Sequence, residues 1–470
     1  MSKKPNIVFF FTDDQRFNTI NILGNDEIIT PNIDKLVKRG ITFTQAHIPS
    51  GTIGAICMPS RAMLHTGRTL FHIQGAGENI PEEHTTIGEA LQQNGYFTWG
   101  AGKWHNGKRS FNRSFIDGNE IFFGGMSDHW NVPVFNYDPE CKYDEILLMC
   151  PDPMFSNKIY KRNCDHVHSG YHSTDLISDA AIEFISKYKD DKPFFMYLSY
   201  LAPHDPRTMP KEFLEMYDSN KIKLPENFRE KHPFDNGDLK IRDEMLAPFP
   251  RTPADTLRQI AEYYAMITHL DANLGRVLDA LEEKGVLENT IIVFAGDNGL
   301  AVGQHGLFGK QNCYEHSIRV PLIFAGPGIP KNIRSDALVY LFDIFPTLCD
   351  MIEIAIPPSI EGKSLVSAIN DPTEKVRKSL YFAYTRSQRA IKSQNYKLIE
   401  YVVNRRPTHT QLFNLKNDPL ELNNLADNSE FSDKIEELHK EMFRLRDEWD
   451  DDKSKWGKKF WKAFQKGKVT

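Results

Sequence analysis

The segment Asn6-Ile-Val-Phe-Phe-Phe-Thr12 is apolar through its middle, with no polar alternation. A strand with one face in water alternates, whereas one that is apolar on both faces must be covered on both. Similar runs recur at Pro193–Leu201, Thr290–Ala295 and Val320–Ala325, with helical patterns between them. Thr30-Pro31 supply an N-cap and a proline for the first helical position, Ile33, Leu36 and Val37 a shared apolar face, and Gly40 a stop. Thr86 and Glu89 form a capping-box pair ahead of a helix ending near Gly95, and Thr174–Lys187 reads as a third helix. Leu257, Ile260, Tyr264, Ile267, Leu274, Val277 and Leu281 keep one face of a long helix over Thr256–Lys284, closed by Gly285. This alternation predicts an α/β fold, a large mostly parallel sheet sandwiched by helices. Such sheets place their chemistry beyond the carboxyl ends of the strands.

Near residue 375 the pattern changes. Leu380–Tyr384, Arg389–Lys392, Tyr396–Val403 and Gln411–Asn414 read as short meandering strands, followed by a helix over Ser432–Trp449. Two domains are expected: a catalytic α/β domain over 1–375, and a smaller C-terminal α+β domain, an antiparallel sheet plus helix, over 376–470. Residues 106–172, rich in Gly, Pro, His and aromatics, read as a long excursion from the sheet, of the kind that is often functional. The tail 453–470 combines seven lysines with Trp456, Phe460, Trp461 and Phe464. Its amphipathic pattern suits either a polyanion or membrane surface, or packing of the aromatic face on the body; the second reading is preferred.

A net charge of −6 argues against a general nucleic-acid binder, and no apolar run reaches membrane-spanning length. Six cysteines without a CxxC pair exclude a disulfide scaffold and a zinc ribbon, although one disulfide among Cys141, Cys150 and Cys164 is open. The apolar run at Ile7–Phe11 is too short for a signal-peptide core. The chain is therefore cytoplasmic, or periplasmic or secreted if an export signal has been removed.

Three clusters carry chemistry. Asp13-Asp14 follow the first strand directly, and the repulsion of adjacent carboxylates there is relieved most simply by a cation. Asp297-Asn298 end another strand between Gly296 and Gly299, and two oxygen-rich pairs at strand ends suit Ca²⁺ or Mg²⁺ better than a soft metal. Cys57-Met-Pro-Ser-Arg61 runs on to Thr66-Gly-Arg68, with Pro59 suited to a helix start and Gly67 to its end. Cys57 thus sits at a helix N-terminus that favours an anion, with Arg61 one turn on, which makes a thiolate nucleophile the direct reading.

This last stretch resembles the hallmark of the type I, formylglycine-dependent sulfatases of the alkaline-phosphatase-like superfamily: Cys-x-Pro-Ser-Arg, then Leu/Met-Thr-Gly-Arg. His65 departs from it at the Leu/Met position. The resemblance runs along nearly the whole chain, through Asn6–Gln15, Gly102-Lys-Trp-His105, Ala202-Pro-His204, Gly296-Asp-Asn298, Gly303-Gln-His-Gly306, Lys310, Tyr314–Leu322, Tyr396–Ile399 and Leu412–Pro419.

The resemblance implies that Cys57 is oxidised after translation to formylglycine by a formylglycine-generating or anaerobic sulfatase-maturing enzyme. Its hydrated aldehyde would attack sulfur, and loss of a proton from the second hydroxyl would expel sulfate. Asp13, Asp14, Asp297, Asn298 and the modified Cys57 would hold Ca²⁺, with Mg²⁺ the lesser choice. Arg61, Lys103 and Lys310 would stabilise the nucleophile and the sulfate oxygens. His204 would protonate the leaving alcohol and His105 would take the proton as the aldehyde re-forms. Arg109, Arg113, His129, Trp130 and His305 are the candidates for substrate binding, since aromatic and cationic groups together suit a charged sugar. The expected substrate is a sulfated saccharide from a glycosaminoglycan or an algal polysaccharide, with a 2-O-sulfated uronate foremost. The alternatives are a phosphonate or phosphodiester hydrolase of the same superfamily, and a glycan-binding homologue without activity.

Overall fold

The structure, a computed structural model, describes residues 4–467. Residues 1–3 and 468–470, the two extremities of the N-terminal stretch and of the basic tail discussed above, lie outside the described residues. Its centre is an eight-stranded sheet of β1 (Asn6–Thr12), β2 (Gly40–Phe43), β3 (Phe97–Lys103), β4 (Asp117–Phe122), β5 (Phe194–Ser199), β6 (Thr290–Gly296), β7 (Leu322–Ala325) and β8 (Ile333–Ser335), in the order β8-β2-β7-β6-β1-β5-β3-β4. Only β7 runs against the others. An apolar run specifies burial and not direction, so this reversal was not legible in Val320–Ala325.

The run in β1 does what its composition requires. Ile7, Phe9 and Phe11 enter one hydrophobic core and Val8 and Phe10 another, all at 0% exposure. Burial on both faces contributes about 1.5–3 kcal/mol per large side chain. Helices α1 (Pro31–Arg39), α3 (Ser173–Lys187) and α4 (Pro253–Glu283) cover the Val8 face, while α2 (Cys57–Thr66) and the C-terminal part cover the Phe9 face. Gly40 does follow the end of α1, but its φ of −145° is extended. Close approach is what demands glycine there: a Cβ would lie 1.9 Å from the Phe324 carbonyl oxygen.

The C-terminal sheet contains β9 (Ser379–Tyr384), β10 (Gln388–Ser393), β11 (Tyr396–Val403) and β12 (Arg406–Asn414), all antiparallel. A fifth strand comes from far upstream: Ser50–Gly51 pairs parallel with Ala383 and Tyr384. Helix α5 (Ser432–Glu448) packs against this sheet, and α6 (Gly457–Gly467) turns Phe460, Trp461 and Phe464 inward while Lys458, Lys459, Lys462 and Lys466 stay exposed. The tail is thus a packed helix. Asp451, fully buried, ties it down by accepting from Arg389, Tyr381 and Trp461 Nε1. All six cysteines are free thiols.

Candidate active site

Four parallel strands end on one side of the sheet, and the residues just past them form a single cluster. Asp13 and Asp14 follow β1, Asp297 and Asn298 follow β6, Lys103 ends β3 with His105 two residues on, and Ser199 ends β5 with His204 beyond it. Asp14 (φ 65°) and His105 (φ 71°) adopt left-handed backbone conformations. Such strain persists where the surrounding structure over-determines the chain, as it does here at the turns that direct both side chains into the cluster.

Helix α2 points its first turn into the same place. Cys57 is its first residue, so Pro59 is the third and not the first; Gly67, with φ 63°, ends the helix as expected. The Ser60 hydroxyl donates to the Asp297 carbonyl at 2.6 Å and locks the helix onto the β6 loop. Arg61 is fully buried. Its Nε and one terminal nitrogen each lie 3.0 Å from Asp297 Oδ2, and its other terminal nitrogen donates to Ser199 Oγ at 2.5 Å and to the Lys103 carbonyl at 3.1 Å. Lys103 pairs with Asp13, and Lys310 donates to Asp14 Oδ1 at 2.5 Å. Three carboxylates and three cations therefore share one buried site.

Burial raises the Asp13 carboxyl, but Lys103, His204, Arg61 and Lys310 outweigh it and hold the group below the usual carboxylate range. Asp297 moves the other way, raised by burial and by Asp13 beside it. The donor set fits a hard cation. Asp13 Oδ1 and Asn298 Oδ1 are buried oxygens without a protein donor, while Asn298 Nδ2 donates to Asp14 Oδ1 at 2.6 Å and Asp14 N to Asp297 Oδ1 at 3.0 Å. Single donor atoms of Asp13, Cys57 and Asp297, and likewise of Asp13, Asp14 and His204, all lie within 4.8 Å of one another. Oxygens of this density in a buried site suit Ca²⁺ or Mg²⁺.

Cys57 is 2% exposed, and its Sγ lies 3.5 Å from His105 Nδ1. Burial pushes the thiol up, and Lys103 and Lys310 only partly oppose it. The unmodified side chain is thus a thiol and a poor nucleophile, against the direct thiolate reading. Burial, reinforced by Lys103 and Arg61, pushes His105 down to about 2, so its ring is a neutral acceptor toward whatever group stands at position 57. His204 Nδ1 lies 2.8 Å from the Asp205 carbonyl oxygen, which leaves Nε2 facing Asp14 Oδ2 at 3.6 Å.

The expected substrate residues scatter. His129 is buried, with Nε2 2.9 Å from the His204 carbonyl oxygen and Nδ1 2.8 Å from Ser173 Oγ, so it braces His204 from behind. Trp130 is half-buried against the His172 ring. Arg109 is exposed near Cys141. Arg113 spends its guanidinium on Glu89 and the Ile80 and His84 carbonyls, and His305 stacks at 4.2 Å on Tyr314, so the structure brings neither into the cluster. Arg113→Gln is expected to leave KM unchanged, whereas His129→Phe should lower kcat by roughly tenfold to 100-fold through displacement of His204. Steady-state kinetics on one substrate check both; a raised KM in Arg113→Gln overturns the first.

Several contributors were missed. Ser199 and Tyr197 hold Arg61. Glu244 accepts from the Phe308 and Gly309 N–H groups at 2.9 Å, and Gln311 from the Lys310 N–H at 3.0 Å, which fixes the loop that presents Lys310. Arg242 pairs with Asp205 beside His204. Ser199 stood inside the Pro193–Leu201 run as its one small polar residue, which was the available signal; the stretch around Arg242 and Glu244 has no apolar period and gave no signal.

Residues 5–354 match the family model Sulfatase, and residues 303–448 match N-sulphoglucosamine sulphohydrolase, C-terminal. The chain is 28% identical to the N-acetylglucosamine-6-O-sulfatase of Bacteroides thetaiotaomicron, over 93% of this chain and 85% of that protein. It is also similar to a solved structure of a protein in complex with its substrate D-glucosamine-2-N,6-O-disulfate, with TM-score 0.77, 24% identity, and coverage of 97% of this chain and 99% of the other. A phosphonate monoester hydrolase of Agrobacterium radiobacter shares the fold, with TM-score 0.74, 18% identity, and coverage of 95% and 96%.

Proposed function

The chain belongs to the sulfatase family, and from that premise we propose that it hydrolyses a sulfate ester of a carbohydrate through a formylglycine made from Cys57, with Ca²⁺ bound by Asp13, Asp14, Asp297 and Asn298. The observation that carries this reading is the convergence of Cys57, the four oxygen-bearing side chains, Arg61, Lys103, Lys310 and two histidines in one buried cluster.

A hydrated formylglycine supplies a hydroxyl nucleophile and, in its second hydroxyl, a way to release sulfate without a stable ester. The cation supplies charge withdrawal from the sulfate oxygens. This chain's own residues do the rest. Lys103 and Lys310 offer ammonium donors to the sulfate oxygens, each already oriented by a carboxylate. Arg61 fixes Asp297 and the strand ends around it. His105, held neutral, accepts a hydrogen bond from the group at position 57 and orients it, and His204, through Nε2, hands a proton to the leaving alcohol.

The carbohydrate assignment rests on the named activity of the Bacteroides thetaiotaomicron relative. A panel of hexosamine 6-O-sulfates, a 2-O-sulfated uronate, and a phosphate and a phosphonate ester tests it. Turnover of a sulfated sugar above the other esters is expected; a preference for the phosphonate ester rejects the reading. Chelation is expected to abolish turnover and lower Tm, and Ca²⁺ to restore both. A Tm indifferent to Ca²⁺ would count against the metal assignment.

At 2% exposure, Cys57 is closed to another enzyme once the chain has folded. Folded thiol-form protein mixed with a maturing enzyme is therefore expected to keep its mass, while urea-unfolded protein is converted. Conversion of both at equal rates rejects this.

A further inference from the structure

Outside the active site, the excursion returns to the sheet edge through a second group of ligating side chains. β4 is the edge strand, and the excursion extends it by two rungs: Ile121 bridges Phe135, and Val134 bridges His166. The register against β3 slips at Ala101/Gly102, where Asn119 and Ile121 are paired and Glu120 between them is left over, with φ 52°. A bulge of this kind re-aims a side chain out of the ladder's alternation. The Glu120 carboxylate meets two imidazoles from the outermost rung, with His166 Nε2 3.1 Å from Oε2 and His168 Nε2 3.4 Å from Oε1. One donor atom from each of the three residues lies within 4.8 Å of the others.

We infer that Glu120, His166 and His168 form a zinc site that staples the excursion to the edge of the main sheet. The donor chemistry selects the metal: two imidazoles and a carboxylate suit a borderline cation, unlike the oxygen-rich cluster around Asp13. The spacing is compatible, since ligands about 2.0–2.1 Å from a tetrahedral zinc lie about 3.3 Å apart, inside the 4.8 Å that bounds the three donor atoms. His-x-His on an extended segment sends both rings to one side, as its two-residue period requires. Partial exposure, 13% for Glu120, 27% for His166 and 48% for His168, leaves room for water as the fourth ligand. The adjoining cavity of about 320 Å³, bordered by Glu120, His168, Tyr171 and Asp179, gives the ion a way in. The metal would join β4 to the second rung beyond it, and so fix the segment that runs on into His172 and α3.

The test is zinc binding by the full chain in competition with a chromophoric chelator, with Ca²⁺ saturating, for the wild type, Glu120→Gln and His168→Ala. The wild type is expected to bind one zinc, and each variant to bind it at least about 100-fold more weakly. Zinc should also slow proteolysis within 106–172 in the wild type alone. Both variants should keep the wild-type circular dichroism and basal turnover, because neither side chain touches the catalytic cluster. No zinc bound by the wild type, or equal affinity in all three proteins, overturns the inference; the latter would place the zinc elsewhere, with the His172, Asp175 and His269 group the next candidate.

Discussion

Cys57→Ala is expected to lower turnover of a sulfate ester by at least about 10⁴-fold while leaving the fold intact. The magnitude follows from loss of the attacking group itself: removing a nucleophile from a site whose other members stay in place costs about that much or more. Among the described residues the two serine hydroxyls of the cluster are engaged, Ser60 donating to the Asp297 carbonyl and Ser199 accepting from Arg61, and the other groups within reach are carboxylates held by cations, ammonium groups and the His105 ring. Structure should be spared, because Cys57 occupies the first turn of α2 and its thiol makes one long contact, 3.5 Å to His105. Alanine there removes one sulfur atom, worth little beside the buried network around it. The measurement is kcat/KM on purified protein, with Tm as the control. Activity within tenfold of wild type would reject position 57 as the source of the nucleophile.

Arg61→Met is expected to destabilise the protein by about 3–5 kcal/mol and to lower kcat by about 10²- to 10³-fold. The first figure is the loss incurred when one partner of a buried pair is removed and the other charge remains. Arg61 is wholly buried against Asp297, with Asp13 3.6 Å away, so its removal leaves two carboxylates facing each other without it. The second figure is that of misplacing the reacting groups, since Arg61 holds Asp297 and the Lys103 strand end in position. Urea denaturation reads stability and steady-state turnover reads activity. Adding Asp297→Asn to Arg61→Met should recover much of the stability, since the orphaned charge is gone, but none of the activity. A loss below 1 kcal/mol in the single variant would mean that the Arg61–Asp297 pair is solvated, contrary to its burial.

The parts of this site that lie within one strand or one helix turn were legible in the sequence. Asp13-Asp14 and Asp297-Asn298 stand at the ends of apolar runs, and the run alone locates the end of a strand. Cys57 and Arg61 share a helix turn, so their common direction follows from 3.6 residues per turn. Contacts that depend on distant segments were not legible. Arg113 and Glu89 find each other across two short helices, a pairing that no pattern within either segment announces. His129 sits in the excursion as expected but faces the back of His204, because the direction of a ring in an irregular loop is set by tertiary packing. The reversal of β7 has the same origin: direction is a property of the connection, not of the apolar run.

The pairing of Ser50–Gly51 with β9 has a consequence in time. The short strand lies just ahead of Cys57, and its partner residues are Ala383 and Tyr384. A ribosome delivers the N-terminal segment first, and the strand that anchors it emerges only after most of the chain has been made. At about 5–20 residues per second, that interval is on the order of half a minute. During it the short strand ahead of Cys57 lacks its partner, and the C-terminal part that completes the cover on the α2 side of the main sheet has not been made. On the proposed formylglycine reading, the topology would act as a delay that leaves Cys57 open to maturation until synthesis is nearly complete.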